Sequence, residues 1–317
     1  MNFERTDIAV GATSRIAKVY LEYLDILRIP SIAVSRSGSD DDFTKYKHVQ
    51  YHMNKDLADT DWQDLKEIIC SKEFPRVVYF ATRHNHLGGH KSEYHAINVD
   101  YVKRLTEFLS KEGIPFLYLS TDLVFGGDGE AFGEDDTPLM PWSYYGVTKR
   151  EGEKETLKHR LGKVMRIGNV LGVDGDYVSV LANKLNSKEK YGAWANIFNR
   201  FAGINDVCWA INEVADYPGK QKIFHIASSE EPMSRYEVAK RLVDHMEVRG
   251  ILPQGSSQFL LESEHKYNDG RPKTLNLQTE ITQKELGFKP SEIVGATLER
   301  VLLNGYPYLR SNNSPID

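Results

Sequence analysis

The chain has 317 residues and a formal net charge of -5, from 40 basic and 45 acidic side chains. This length allows a large hydrophobic core in one large α/β domain or two smaller ones. No concentrated basic face favours a nucleic-acid partner, and no apolar stretch is long enough to predict a membrane span. The two cysteines, Cys70 and Cys208, are too few for a disulfide framework, and the amino terminus lacks a signal-peptide pattern. We therefore expect a cytoplasmic protein.

Short apolar runs alternate with longer segments of helical periodicity, which predicts βαβ units and a mostly parallel sheet. The predicted strands are 7–11, 31–35, 49–52, 76–81, 115–120 and 163–168. The predicted helices between them are 14–27, 61–71, 92–111 and 143–160. This order is typical of a doubly wound parallel sheet, the Rossmann form of the α/β class.

The first strand runs into a turn, Gly11 to Ala17, where a dinucleotide-binding turn carries glycine at its first, fourth and seventh places. Only Gly11 keeps a glycine. Ser14 and Ala17 are small replacements that still let backbone amides approach a pyrophosphate at the helix amino terminus. An ordinary strand-to-helix turn is the alternative. The predicted cofactor contacts of this turn are Gly11, Thr13, Ser14, Arg15 and Ile16.

The ends of the next three strands also carry candidate cofactor contacts. Arg36 lies between two serines and suits a 2′-phosphate, so NADP(H) is favoured and NAD(H) remains possible. A solvated loop arginine is the alternative for Arg36. Asp56 and Leu57 follow the third strand and offer a carboxylate and an apolar contact to an adenosine. Ala81 and Thr82 end the fourth strand with small residues where a backbone must approach a cofactor.

Tyr145 stands four residues before Lys149 in a predicted helix, so both side chains lie on one face. A nearby ammonium favours the phenolate and is expected to lower the pKa of the tyrosine from its usual value near ~10. Such a tyrosine can give a proton to a carbonyl oxygen while hydride arrives at carbon, and the hydroxyl of Thr121 can hold the same oxygen. The neighbouring Tyr144 is off this face and is expected to pack or to contact substrate.

Beyond Gly172 the alternation loosens into an apolar run at 207–211, a strand at 223–227 and further helices. Those helices are predicted at 177–188, 234–249, 280–286 and 292–303. We predict an NAD(P)-binding Rossmann domain at 1–172, with about 205–228 returning to it. Residues 173–204 and 229–317 are predicted to form a smaller carboxyl-terminal substrate-binding lobe, because ligands of open α/β sheets need a second wall.

Several motifs spread over nearly the whole chain point to a known family. They are Leu119 to Phe125 (LSTDLVF), Glu134 to Pro138 (EDDTP), Tyr145 to Lys149 (YGVTK) with Gly152-Glu153, and Arg271 to Thr274 (RPKT). The chain resembles the extended short-chain dehydrogenase/reductases, and within them the dTDP-4-dehydrorhamnose reductases. The resemblance implies Thr121 as the catalytic hydroxyl and Tyr145 as the proton donor. It implies that Lys149 tunes the tyrosine and binds the nicotinamide ribose, and that Asn98 lies on the helix beside the active site, with the cofactor-binding residues.

Two positions depart from the rhamnose-forming enzymes at places expected to face substrate. Leu123 stands where they usually carry tyrosine, and Asn169 stands where they usually carry tryptophan. An asparagine resembles the wider group of extended reductases and epimerases, in which it helps bind the nucleotide diphosphate. Arg271 offers a cation for that diphosphate, with a surface charge before a proline as the alternative. The predicted substrate-binding residues are Asp122, Leu123, Asn169 and Arg271.

The resemblance implies an NAD(P)H-dependent reductase of the keto group of a 4-keto-6-deoxy nucleotide sugar. One alternative is a nucleotide-sugar 4-epimerase or dehydratase that keeps NAD tightly bound. Another is a non-catalytic regulatory subunit, since the β subunit of methionine adenosyltransferase resembles these reductases over the same stretches. The incomplete glycine motif favours the regulatory subunit, and the complete set of Thr121, Tyr145 and Lys149 opposes it.

Histidines cluster in the segment that follows the fourth strand, at His84, His86, His90 and His95. Their spacing fits no familiar zinc pattern, so no metal site is predicted. The expected partner is a small nucleotide-sugar substrate, with neither nucleic acid nor membrane. A homodimer is one possible assembly.

Overall fold

The computed structural model describes residues 5–35, 49–52, 59–83, 90–127, 131–138, 140–173, 175–266 and 270–304. Its strands are β1 (Arg5–Val10), β2 (Ser31–Ser35), β3 (Val49–His52), β4 (Phe74–Tyr79), β5 (Phe116–Thr121), β6 (Ala131–Phe132), β7 (Gly162–Ile167), β8 (Asn169–Leu171), β9 (Tyr191–Trp194), β10 (Phe198–Asn199), β11 (Phe201–Gly203), β12 (Ile223–Ile226), β13 (Met233–Ser234), β14 (Leu260–Ser263) and β15 (Thr274–Leu277).

Its α-helices are α1 (Arg15–Ile26), α2 (Asp59–Cys70), α3 (Lys91–His95), α4 (Tyr101–Glu112), α5 (Tyr144–Leu157), α6 (Tyr177–Asn186), α7 (Ile204–Asp216), α8 (Arg235–Val248), α9 (Glu280–Leu286) and α10 (Ile293–Asn304). A π-helical turn, Ala96–Asp100, joins α3 to α4, so the predicted single helix contains one wider turn. Short 3₁₀ turns occupy Asp122–Val124 and Ser256–Phe259. The apolar run predicted at 207–211 lies within α7.

The chain divides into two compact units. The first comprises Met1–Val124, Ser143–Arg166 and Cys208–Phe224, and the second comprises Phe125–Trp142, Ile167–Val207 and His225–Asp317. Residues 125–142 and 167–172, which the prediction assigns to the Rossmann domain, thus group with the second unit. The substrate-binding role of the carboxyl-terminal lobe stays a prediction.

A seven-stranded sheet organises the first unit, in the order β12-β7-β5-β4-β1-β2-β3. β1 pairs in parallel with both β2 and β4, and the pairs β2–β3 and β4–β5 are also parallel. The strand order reverses between β1 and β4, which is the doubly wound arrangement, so the predicted fold class is confirmed. The carboxyl ends of these parallel strands meet at one edge of the sheet, where ligands of such folds bind.

The second unit has its own small sheets and hydrophobic core. One sheet has the order β13-β10-β15-β6, and the pairs β8–β11 and β9–β14 form two others. Its core contains buried apolar residues of α6, α8 and α10, such as Leu181, Leu242 and Leu298. Ser234 begins α8 with a capping box, in which its hydroxyl and the carboxylate of Glu237 each accept a backbone N–H.

In the first unit, α5 packs very closely against the π-helical turn because position 152 carries no side chain. A Cβ atom at Gly152 would lie 2.3 Å from the carbonyl oxygen of Asn98 and 2.5 Å from the hydroxyl oxygen of Tyr118. Both atoms belong to buried residues. Gly152 therefore sets the distance between α5 and the elements that hold the predicted catalytic residues.

This packing predicts that Gly152→Ala destabilises the protein, although alanine is normally the better helix former. The new methyl group must displace buried atoms, at a cost of about 1–3 kcal/mol. Gly295, which is exposed in α10, is the matched control because its nearest neighbour, a carboxylate oxygen of Glu292, would lie 3.7 Å from a Cβ. Gly295→Ala is expected to stabilise by up to about 1 kcal/mol. Urea unfolding of both variants measures whether each substitution lowers or raises the free energy of unfolding. Equal changes in that free energy would contradict the packing argument.

Candidate active site

Tyr145 and Lys149 lie one turn apart on α5, as their spacing predicts. The helix begins after Ser143, whose hydroxyl accepts the backbone N–H of Gly146 at 3.0 Å. This N-cap fixes the first turn, on which Tyr145 lies. Both side chains are buried, with relative exposures of 6% for Tyr145 and 2% for Lys149.

The phenol of Tyr145 is hydrogen-bonded by two threonine hydroxyls from adjacent strand ends. Thr121 ends β5, and Thr82 follows β4. The hydroxyl of Thr121 also donates to a carboxylate oxygen of Asp122 at 2.9 Å and accepts the backbone N–H of Leu123 at 3.3 Å. The structure thus brings the three predicted catalytic residues together and adds Thr82, which the sequence predicted only as a cofactor contact.

The predicted lowering of the tyrosine pKa is wrong for this structure. The pKa of Tyr145 is raised to about 12, chiefly by burial and also by the charge of Asp122, against the hydrogen bonds of Thr82 and Thr121, which lower it. The expected lowering by the Lys149 charge is not among the causes that set the pKa of the Tyr145 phenol. Burial of Lys149 lowers the pKa of its own ammonium to about 7, against an opposing effect of the Glu153 carboxylate. Desolvation, which periodicity does not report, outweighs the neighbouring charge.

The ammonium of Lys149 is held from the β5 side. Its Nζ donates to the carbonyl oxygen of Leu119 at 2.6 Å and lies 3.9 Å from the centre of the Tyr118 ring. An ammonium over an aromatic face gains electrostatic attraction when both groups are desolvated. The lysine is therefore fixed in position beside the tyrosine that precedes it on α5.

Asn98 lies fully buried in the π-helical turn, and its side chain connects three segments. Its amide oxygen accepts the backbone N–H of Arg83 at 3.1 Å and the hydroxyl of Thr82 at 3.3 Å. Its amide nitrogen donates to the hydroxyl of Thr148 on α5 at 3.0 Å. Such wide turns are frequent at functional sites. Sequence reasoning placed Asn98 here by resemblance, and no sequence signal predicted the turn itself.

Glu153 and Arg166 form a buried ion pair one turn beyond Lys149, which sequence reasoning missed. Their side chains are 3% and 2% exposed, and Arg166 Nη2 lies 2.9 Å from a carboxylate oxygen of Glu153. The hydroxyl of Ser120 donates to the same carboxylate. The spacing of four residues between Lys149 and Glu153 was enough to predict that their side chains share one face of α5. Spacing gives no indication that Arg166 on β7 is the partner of Glu153.

The turn after β1 brings bare backbone to the amino end of α1. Gly11 has a φ of +89°, and a Cβ there would lie 2.3 Å from the backbone nitrogen of Ala81, so bare backbone lines this corner. The hydroxyl of Ser14 accepts the N–H of Ala17 at 3.2 Å and caps α1. These residues fit a pyrophosphate at the amino end of α1. Thr13 and Arg15 are exposed there, and Ile16 is half-buried.

The remaining predicted residues fall into two groups, those outside the described ranges and those within them. Arg36, Asp56, Leu57, His84 and His86 lie outside the described residues. Leu123 is half-buried after β5, and Asp122 is buried. In the second unit, Asn169 begins β8, and the buried Arg271 has its guanidinium carbon 5.5 Å from the centre of the Trp194 ring. The binding roles of these residues stay predictions.

The described ranges carry neither a metal cluster nor a membrane-spanning helix. They contain no group of three or more histidine, cysteine, aspartate or glutamate side chains that could hold a metal ion. No helix in the same ranges has the length and apolar character to cross a bilayer.

The sequence is similar to a known protein family and to several known proteins. A family profile, the RmlD substrate binding domain, matches residues 41–302. Methionine adenosyltransferase 2 subunit beta of Bos taurus is 30% identical over 158 residues, 47% of each chain. The Danio rerio protein of the same name is 32% identical over 190 residues, 56% of each chain. The chain thus spans about half the length of the curated relatives it matches.

Solved structures share the fold over nearly the whole chain at low identity. The Bordetella bronchiseptica enzyme WbmG in complex with NAD has a TM-score of 0.76 at 17% identity and covers 98% of this chain and 97% of its own. The dTDP-4-dehydrorhamnose reductase of Bacillus anthracis in complex with NADP has a TM-score of 0.73 at 19% identity, over 96% and 99%.

The doubly wound sheet, with Thr121, Tyr145 and Lys149 gathered beside β5, defines the class of the extended short-chain dehydrogenase/reductases. Because the profile match covers most of the chain, the protein belongs to the RmlD substrate binding domain family. The predicted resemblance is thereby confirmed.

The buried lysine predicts a characteristic pH dependence of stability. The pKa of Lys149 is about 7 in the folded chain, and an unfolded lysine titrates near ~10.4. Between these values the unfolded chain binds a proton that the folded chain lacks, so this group makes the free energy of unfolding rise with pH. Below about pH 7 the penalty of burying the charge is fully present.

Lys149→Met removes that penalty and should therefore stabilise the chain more at about pH 6 than at about pH 9, by a difference on the order of a few kcal/mol. Urea unfolding of variant and wild type at both pH values gives the difference, in which other titrating groups largely cancel. The exposed Lys158→Met is the control, with no such pH-dependent gain. A gain for Lys149→Met that is equal at both pH values would contradict the lowered pKa.

Proposed function

We propose that this protein is an NAD(P)H-dependent reductase that acts on the keto group of a 4-keto-6-deoxy nucleotide sugar. The observation that carries the proposal is the buried phenol of Tyr145 between the hydroxyls of Thr121 and Thr82, with Lys149 one turn further along α5. Membership of the RmlD family and the fold of nucleotide-sugar enzymes support it.

In this mechanism Tyr145 donates the proton to the carbonyl oxygen, and the hydroxyl of Thr121 holds that oxygen as negative charge develops. The raised pKa of about 12 keeps the phenol protonated at neutral pH, which suits an acid in the reducing direction. A bound nicotinamide cofactor would supply the hydride. Lys149 is proposed to bind its ribose, from the position fixed by the Leu119 carbonyl.

The remaining cofactor contacts are proposed at the turn after β1 and at the end of β4. Gly11, Thr13, Ser14, Arg15 and Ile16 would meet the pyrophosphate side, and Ala81, Thr82 and Asn98 the nicotinamide side. Known structures of similar fold contain NADP or NAD, and we favour NADPH because of Arg36. Asp122, Leu123, Asn169 and Arg271 are proposed as substrate contacts, and a structure of similar fold is a complex with UDP-glucose and NAD.

A second candidate is a non-catalytic subunit of a larger enzyme. The observation that favours it is the similarity to proteins named methionine adenosyltransferase 2 subunit beta. Ser14 stands at the second glycine position of the dinucleotide-binding motif, and this incomplete motif is also compatible with a subunit that turns over no cofactor. Co-purification with a larger enzyme, together with no turnover on any keto sugar, would favour this candidate. A purified chain that retains NAD through repeated dilution would instead favour an epimerase or dehydratase.

Oxidation of NADPH and of NADH over a panel of 4-keto nucleotide sugars tests the reductase, with Tyr145→Phe as the central variant. We expect turnover to fall roughly 10²- to 10⁴-fold, the usual share of general acid catalysis. Cofactor binding, followed by fluorescence, should change little because the ring remains. Tyr144→Phe is the matched control, since its ring packs edge-on against Tyr94 at 5.9 Å. Equal turnover of wild type and Tyr145→Phe would refute the proposed acid.

A further inference from the structure

The ion pair of Glu153 and Arg166 is a costly feature that the proposed reaction does not use. Arg166 Nε and Nη2 donate to the two carboxylate oxygens of Glu153 at 3.0 and 2.9 Å, so the pairing is bidentate. Both side chains are almost completely buried. Buried ion pairs often stabilise a fold no better than apolar residues of the same volume. Stability alone is therefore a weak reason for charges at this place.

The carboxylate lies beside a second buried charge, that of Lys149. Glu153 and Lys149 are four residues apart on one face of α5, and the carboxylate acts electrostatically on the ammonium. Among the described residues, the phenol ring of Tyr118 on β5 lies against the ammonium and Tyr145 lies one turn away on α5, and burial keeps both phenols neutral by raising their pKa. In the part of the chain that the structure describes, Glu153 is thus the anion whose charge acts on the Lys149 ammonium.

The carboxylate is also fixed in place from two strands. Arg166 approaches from β7, and the hydroxyl of Ser120 donates to it from the end of β5. Ser120 is the residue before Thr121, so one strand end carries both the hydroxyl that orients Glu153 and the hydroxyl that contacts Tyr145. The same strand provides the Leu119 carbonyl that accepts from Lys149.

We propose that Glu153 is a positioning residue that favours the charged form of the Lys149 ammonium, and that Arg166 and Ser120 hold its carboxylate for this purpose. The proposal rests on the proposed function of Lys149. Without the carboxylate, burial alone would deprotonate the lysine at lower pH, and the charge offered to the ribose and to the reacting oxygen would be lost.

The first test titrates Lys149 in the chain without cofactor or substrate. The side-chain ¹³Cε chemical shift of Lys149, assigned with Lys149→Met and followed by NMR over a series of pH values, gives the midpoint at which the amine loses its proton without requiring a reagent to reach the buried side chain. In Glu153→Gln the midpoint should fall by about one pH unit or more, as expected for loss of a nearby opposite charge. Glu155→Gln is the matched control, because it removes an equal charge from the same helix, where Glu155 pairs with the exposed Lys158. Its midpoint should match that of wild type.

Glu153→Gln leaves the Arg166 guanidinium buried without its carboxylate and is expected to be less stable. The double variant Glu153→Gln with Arg166→Gln removes both charges and provides a second folded sample. Its Lys149 midpoint should also fall, because the carboxylate is the group that acts on the lysine. A purely structural ion pair predicts an unchanged Lys149 midpoint in both variants, with only the stability of Glu153→Gln lowered, and that result would overturn the proposal.

The second test uses the reaction. The alkaline limb of kcat/KM against pH should move to lower pH in Glu153→Gln, with roughly a tenfold loss at about pH 8 and a smaller loss at about pH 6. An unshifted limb would count against Glu153. If the wild type reduces no sugar of the panel, the proposed function fails, while the Lys149 titration midpoints still decide the role of Glu153.

Discussion

The site depends on the burial of one ammonium group. Lys149 Nζ lies against the Leu119 carbonyl at 2.6 Å and over the Tyr118 ring, away from water. That position requires α5 to approach β5 closely, and the missing side chain of Gly152 allows the approach. Burial of an ammonium is costly, so the groups around it must compensate with a carbonyl, an aromatic face and a carboxylate. Helix packing, the lysine contacts and the Glu153 pair are therefore consequences of the same constraint.

Burial also decides the chemistry of the neighbouring tyrosine. A phenol that is removed from water keeps its proton more firmly, and here that effect outweighs two favourable hydrogen bonds. The tyrosine is thus prepared as an acid, which matches reduction of a carbonyl better than oxidation of an alcohol. Because catalysis is most efficient when the pKa lies near the working pH, additional positive charge near the phenol would help it. In this structure the causes that set the pKa of Tyr145 are burial, the Asp122 carboxylate and the two threonine hydroxyls, and the Lys149 charge is not one of them.

Much of the fold and the centre of the site could be predicted from the sequence, because they depend on local periodicity and short spacing. Apolar runs and helical spacing located the strands of the doubly wound sheet, and the spacing of four placed Tyr145 and Lys149 on one face. The pKa of the tyrosine was predicted in the wrong direction, since pairwise spacing shows a neighbouring charge and does not show desolvation. Arg166 was missed because its partner comes from another element, and such pairing is set by tertiary packing.

The π-helical turn illustrates the same limit and explains how the two sides of the site are joined. Two buried phenols, those of Tyr79 and Tyr118, need acceptors, and the wide turn provides the carbonyl oxygens of Ile97 and Asn98 at 2.7 and 3.3 Å. The turn also directs the Asn98 amide toward Thr82 on one side and Thr148 on the other. Because Thr82 also contacts the Tyr145 phenol, one threonine hydroxyl joins the Asn98 amide in the wide turn to the tyrosine on α5.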